Sequence, residues 1–473
     1  MSLAASLLLA RAVTTGTTQR RRLLRHVHLT DAPLLATVTL LAGEPAGVLA
    51  IAASRAGQEP QIWTVPEPRD RSLRDAALEA FYSWLIGQVA QDRAANVVTQ
   101  LVVPSPAEAD ALRQLARLHR YQRRSPPLYP ETVVAGAQLL TVLTERRDVP
   151  GSALCLDATS QLLRIFVPPL SPPECAHLGA LVAAIDPPVG RHAADAAHDA
   201  ETVSMGLIPD PAFDNNVLGP AIEAFNTARK NPAADRFTRA RPAGELDRLG
   251  RSLVGPKLEV LDRAVGLLAA IPEAPSAADR FHGTDIDDWT LPADAEKLAW
   301  RLQLLDSGQA RFALRPSHSQ QARWAAQAEA IQQVMHAREI YEDRLAFAEA
   351  VGQGAAWAGT IVSRDDRHTT VPAGGKKKVS RPRITAESAL PLLISPGNRL
   401  RWADDPAHVD LEVVDATDLP DGGTQLVAQV VKGMRRWREA PPTGELRLAE
   451  ASPQAPPMPP GVDPACWKGL VDA

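Results

Sequence analysis

The first 170 residues alternate between short β-rich runs and amphipathic stretches. Leu34–Leu41 and Val48–Ala53 are β-rich and are separated by the turn signal Gly43-Glu44-Pro45; Gln61–Val65 follows as a third run. Across Leu73–Ala90 the apolar positions Leu78, Phe81, Leu85 and Val89 recur at helical spacing. Val97–Val103 then reads as a buried strand. Pro106–Leu118 reads as a helix with proline in its first turn, and Glu131–Thr144 as another helix. Ala153–Leu156 and Leu162–Val167 read as two more strands before the prolines at 168–169 and 172–173. The resulting order, β-β-β-α-β-α-α-β-β, predicts a mixed sheet with helices on its faces.

The pattern changes twice further along. Residues 186–215 are rich in Ala, Asp, His and Pro and read as a linker. Helical text dominates 216–363, with Val217–Lys230, Gly244–Leu253, Leu258–Leu268, Pro292–Leu305 and the long Ser319–Val351 as candidates. A β-rich module follows, with strands expected at Ala389–Ile394, Arg399–Trp402, Val409–Asp415 and Thr424–Val431 and a hairpin turn at Asp421-Gly422-Gly423. The boundaries this predicts are an α/β domain over 1–185, the linker at 186–215 and a helical domain over 216–363. A β-barrel-like module with a basic loop over 364–440 and a Pro-rich tail over 441–473 complete the chain.

Composition fits this layout. The 473 residues suggest about three domains, and an apolar share of 45% suffices for ordinary cores. A net charge of −4 excludes a protein whose whole surface is polybasic. The three cysteines, Cys155, Cys175 and Cys466, are too few and too scattered for a disulfide framework and suit a reducing compartment. In Met1–Ala12 the apolar run Leu7–Ala10 precedes Arg20-Arg21-Arg22, the reverse of a secretory signal, and is too short to span a bilayer. The expectation is a cytoplasmic protein with no membrane partner.

Charge is uneven along the chain. Residues 364–383 hold Arg364, Arg367, Lys376, Lys377, Lys378, Arg381 and Arg383 against Asp365 and Asp366, leaving +5. Gly374-Gly375 interrupts the run, and no G-x-x-x-x-G-K-[ST] is present. A flexible lysine-rich loop beside a β-module suits contact with a phosphate backbone or a solvated surface. Arg435 and Arg436 on the same module would add charge, and Trp402 and Trp437 would add stacking if they are not buried.

The acidic candidates are incomplete. An RNase H-like nuclease needs clustered carboxylates to hold two metals about 4 Å apart, with an Asp-x-Glu on its first strand, but that strand is neutral here and Asp157 stands alone after ALCLD. Asp285, Asp287 and Asp288 lack the glycine and closing glutamate of a calcium loop and read as the acidic start of a helix. Asp410 or Asp415 with Lys432 suggests a RecB-type nuclease hairpin, but Val430 stands where the second acid belongs. His177 has no partner placed by spacing. No residue is assigned a catalytic or metal-binding role, and no cofactor is implied.

The segment order, carried by Ala77–Leu118, Ala153–Val167, Ala322–Val351 and the run LLISPGNRLRW through LVAQVVKG, resembles the front, pre-motor part of bacterial RNase H-like/RecB-type nuclease–superfamily-1 helicase proteins. The resemblance implies an RNase H-like mixed sheet, a helical middle and a small β-barrel. It also implies a helicase or nuclease partner in a repair or antiviral defence system. Without the acids, it implies a catalytically silent nucleic-acid-binding or accessory subunit, with DNA ahead of RNA and Lys376, Lys377, Lys378, Arg381, Arg383, Arg435 and Arg436 as contacts. The alternatives are a metal-dependent nuclease combining Asp157 with Asp410 or Asp415, and a protein-interaction scaffold built on the helix at 319–351.

Overall fold

A computed structural model describes residues 3–21, 29–41, 43–44, 46–121, 129–147, 152–207, 210–233, 235–270, 286–312, 318–371, 377–390, 394–404, 409–420, 422–439 and 442–450. Side chains in parts of the helices after 286 and 318 lie outside that description, as do Lys376, Cys466, Asp285 and the carboxylates of Asp287 and Asp288.

Helix α1 (Leu3–Thr15) leads into β1 (Gln19–Arg20). The sheet is then built from β2 (Leu34–Leu40), β3 (Val48–Arg55), β4 (Gln61–Thr64), helix α2 (Arg71–Ala94), β5 (Leu101–Val103), helices α3 (Pro106–His119) and α4 (Glu131–Thr144), and β6 (Cys155–Asp157). Its strand order is β4-β3-β2-β5-β6. The first three strands form an antiparallel meander, and β5 and β6 join parallel to β2. The central strands are buried on both faces, as expected for a sheet covered by helices.

The run 162–167, expected to be a strand, is mostly helix. Asp157 caps α5 (Ala158–Ile165), which buries Ala158, Thr159 and Leu162 on one side, and only β7 (Phe166–Val167) is extended, pairing with β1. Next come α6 (Pro172–Ala176), α7 (Leu178–Ile185) and α8 (Ala193–Glu201). The stretch read as a linker thus carries a helix, whose Ala193 and Ala197 are buried against Ala180 and Ala184. Helix α9 (Pro211–Phe213) continues through a π-helical turn (Asp214–Leu218) into α10 (Gly219–Lys230).

The helical middle is present, and its members serve two cores. Helix α11 (Arg236–Ala269) is continuous across Pro242 and Pro256, where two helices were expected. It lies on one face of the sheet, with Leu246, Leu253, Leu258 and Leu261 in a core shared with Leu35, Leu49 and Val102. Gly250 permits this approach, because a Cβ there would sit 2.6 Å from Thr64 Cγ2. Helix α12 (Ile286–Asp306) covers the opposite face, where Leu298 joins Leu34, Phe81, Leu112 and Leu140.

The expected single helix at 319–351 is two, α13 (His318–Glu342) and α14 (Arg344–Gln353). The break falls at Asp343, whose side chain accepts from the N–H groups of Leu345 and Ala346. These two helices pack on the C-terminal module through Ile340, Tyr341, Phe347 and Ala350 against Ala356, Ala403 and Ala449.

That module is a closed six-stranded antiparallel barrel. Its strands are β8 (Ala356–Asp365), β11 (Arg383–Ser388), β12 (Arg399–Trp402), β13 (Asp410–Asp418), β14 (Thr424–Lys432) and β15 (Glu445–Glu450), in the order β11-β14-β13-β12-β15-β8. Between β8 and β11 lies a small ladder of β9 (Thr369–Thr370) and β10 (Val379–Ser380), and α15 (Met434–Glu439) follows β14. β8 begins before the expected limits of 364–440 and β15 lies beyond them, in text read as tail. β11 ends at Ser388, and residues 391–393 of the expected strand at 389–394 lie outside the described residues. Inside, Leu426, Ala428 and Val430 alternate with half-buried neighbours and meet Leu411, Val413, Leu446 and Trp357. Gly359 leaves room for that tryptophan, since a Cβ would fall 2.3 Å from its ring.

Candidate nucleic-acid interface

Two regions carry the candidate chemistry, and the structure treats their charges in opposite ways. The first is the middle of β2 and the ends of β5 and β6, where a nuclease of the resembling type would gather its acids. β2 presents Thr37 and Thr39, both buried, where an Asp-x-Glu would stand. The nearby carboxylate is Glu108, in the first turn of α3. It accepts a hydrogen bond from Thr37 Oγ1 at 2.6 Å and faces Lys257 Nζ at 3.5 Å. Lys257 reaches in from α11 and also donates to Thr39 Oγ1 at 3.4 Å. Burial pushes the Glu108 carboxyl above its ordinary range, while Lys257 and Thr37 pull it back.

Asp157 is not part of this group. It is buried, and its carboxylate accepts from Ser160 N–H at 2.8 Å, which occupies it as a helix cap. Asp410 pairs with Arg401 at 2.8 Å inside the barrel wall, opposite Lys432 in register. Asp415 is exposed and accepts from the neighbouring Ala416 N–H. Among the described residues, no group of three or more His, Cys, Asp or Glu side chains stands close enough to hold a metal ion. His177 caps α7 through Nδ1.

The second region is one end of the barrel. β15 accompanies β8 only as far as Thr360, so beyond Ile361 the strand pairs with β11 alone. The ladder of β9 and β10 then extends this pair, tied by the Arg381 N–H to His368 carbonyl bond of 2.9 Å. Because β11 stays paired with β14 as far as Arg383, the arm is two-stranded at the β9–β10 ladder, and Lys377 and Lys378 adjoin β10. Lys377 and Lys378 are exposed there; Lys376 lies outside the described residues.

Helix α15 packs against the base of this arm. Trp437 is fully buried, and its indole N–H donates to Asp366 Oδ1 at 3.2 Å, while Arg364 Nε donates to the other oxygen at 3.0 Å. Arg438 Nη2 donates to Ser380 Oγ at 3.1 Å. Arg381 Nη1 donates to the Val431 carbonyl at 2.6 Å, so its guanidinium holds the arm to the end of β14. Asp366 and Arg381 therefore build the arm, and most of the cations around them are exposed. Arg367, Lys432, Arg435, Arg436 and Arg438 are exposed, and Arg383 is half-buried. Arg435 pairs with Glu439, which raises its pKa.

The structure thus brings the described part of the expected basic segment 376–383, residues 377–383, and the expected contacts Arg435 and Arg436 to the same end of one module. It adds Arg367, Lys432 and Arg438, which were not named as contacts. The signal for Lys432 and Arg438 was visible in the run KGMRRWRE, where four cations surround one tryptophan. Trp437 offers no stacking face, and Trp402 is half-buried. Trp437 is buried, and Trp402 meets it edge-on with centroids 6.5 Å apart.

By sequence, residues 364–383 carry +5, and Lys432, Arg435, Arg436 and Arg438 against Glu439 add +3. With −4 on the whole chain, the remainder carries −12. Such an end can hold polyanions through charge-assisted hydrogen bonds. Among the described residues, no helix is long and apolar enough to cross a membrane. No family model matches the chain, and no curated protein or solved structure matches it.

Proposed function

We propose that this chain is a catalytically silent nucleic-acid-binding component of a DNA-processing assembly and that the basic end of the barrel is its contact surface. The observation that carries the reading is the convergence of the arm and α15, whose described residues gather +7 on a chain of net −4. A phosphate backbone is the polyanion whose regular charge such a surface complements. The sheet order, an antiparallel meander followed by two parallel strands, supports reading the N-terminal part as an RNase H-like scaffold. Threonines on its first strand and a lysine beside Glu108 support reading that scaffold as inactive. On this reading, chemistry on the nucleic acid belongs to a helicase or nuclease partner.

The test is binding of fluorescently labelled DNA to the purified chain at low salt without divalent metal. The expected result is salt-sensitive binding that weakens about tenfold or more in Lys376→Ala/Lys377→Ala/Lys378→Ala. No binding at about 50 mM salt, or equal binding by the variant, overturns the reading.

A further inference from the structure

Building on the nucleic-acid reading above, we infer that the barrel's arm grips double-stranded DNA through its phosphates, without reading base sequence and in preference to a single strand.

The first argument is the shape of the arm. β8 loses β15 beyond Ile361, β11 keeps β14 as far as Arg383, and past that point the arm narrows to the two strands β9 and β10. The major groove of B-form DNA, about 12 Å wide, admits a two-stranded ribbon. The corresponding groove of duplex RNA is deep and narrow and excludes one.

The second argument concerns stacking. Proteins that hold single strands combine a basic groove with aromatic faces on which successive bases stack. Residues 356–450 contain neither Phe nor Tyr, and their tryptophans are Trp357, Trp402 and Trp437. Trp357 and Trp437 are 1% and 0% exposed, and Trp402 is packed against Trp437. A single strand would find charge at this surface and, among its described residues, no exposed Phe, Tyr or Trp ring.

The third argument is charge density. Duplex DNA presents one phosphate per about 1.7 Å of axis, against about 3.4 Å along each strand. A surface that binds only through cations therefore gains more from the duplex. The exposed residues that adjoin β10, Lys377 and Lys378, are point charges without the fixed fork with which arginine addresses guanine. The contact energy accordingly depends little on sequence.

The test is fluorescence anisotropy on the full chain with DNA duplexes of roughly 20 base pairs, about two helical turns. A single strand of the same length, an RNA duplex, and AT-rich and GC-rich DNA duplexes complete the set. The inference expects DNA duplex binding about tenfold tighter than either the single strand or the RNA duplex, with the two DNA compositions within about threefold of each other. In Lys377→Glu/Lys378→Glu the duplex preference is expected to vanish. Both positions are exposed, and an unchanged near-ultraviolet circular dichroism spectrum verifies the fold. A single strand or RNA duplex that binds as tightly as the DNA duplex overturns the inference and leaves the nucleic-acid reading standing. Failure of every probe to bind overturns both.

Discussion

The strand ends of the sheet and the end of the barrel both concentrate charged residues, and they differ in what those charges meet. At the sheet, Glu108 is enclosed and faced by Lys257, Thr37 and Thr39, so the protein answers its own charge. At the barrel, the arm spends Asp366 and Arg381 on its own construction and turns Arg367, Lys377, Lys378 and Lys432 outward. A buried pair stabilises weakly when intact but is costly to break, because one partner is left uncompensated. Exposed like charges cost little individually and become useful when a polyanion arrives. The contrast predicts that changes at the sheet act on stability and leave binding alone, while changes at the arm's surface do the reverse.

The largest expected effect lies in the closed half. Asp294 is fully buried and accepts from Arg146 Nε at 2.5 Å, Ser152 Oγ at 2.8 Å and Ala153 N–H at 2.8 Å, which fixes α12 to the lead-in of β6. Asp294→Ala is expected to lower unfolding free energy by about 3–5 kcal/mol in urea titration, with DNA affinity unchanged in whatever fraction remains folded.

Lys257→Met is the next test. Glu108 already has a raised pKa in the folded state, and removal of Lys257 raises it further. A carboxyl raised on folding favours the folded state at low pH, and that contribution is lost as pH rises through the folded pKa. The variant should therefore be about 2–3 kcal/mol less stable than wild type at pH 8 and approach it near pH 4. A pH-independent loss would show that Lys257 matters through packing alone and would blur the contrast between the regions.

Trp437→Phe probes where the two behaviours meet. It removes the hydrogen bond to Asp366 and some volume from the barrel core, at an expected cost of about 1–2 kcal/mol. Because that bond holds α15 to the arm, a loss of DNA affinity of about threefold should accompany it. Unchanged affinity would mean that the arm and the helix act independently.

Local patterning made part of this legible. The alternation in β13 and β14, the proline-led start of α3 and the spacing of Leu78, Phe81, Leu85 and Val89 in α2 each correspond to an element found where expected. The barrel's closing strands were harder to see. Only Leu446 and Leu448 mark the inward face of β15, which sits between proline-rich stretches, and β8 begins AWAGT with a glycine that makes room for Trp357. Helix α11 crosses two prolines that would ordinarily end a helix, because the sheet beneath it rewards continuity. The basic run was visible as charge, but its meeting with Arg438 and Lys432 is a product of barrel closure. The pairing of Glu108 with Lys257 joins distant elements and left no local mark.

The most direct test of the central claim is the salt dependence of DNA binding in wild type and Lys377→Ala/Lys378→Ala. Each lysine that neutralises a phosphate releases about one counterion. A plot of log affinity against log salt is therefore predicted to be shallower in the variant by about two, with unfolding free energy within about 0.5 kcal/mol of wild type. Parallel lines for the two proteins would contradict the account, because the basic end of the barrel would then not be where the nucleic acid sits.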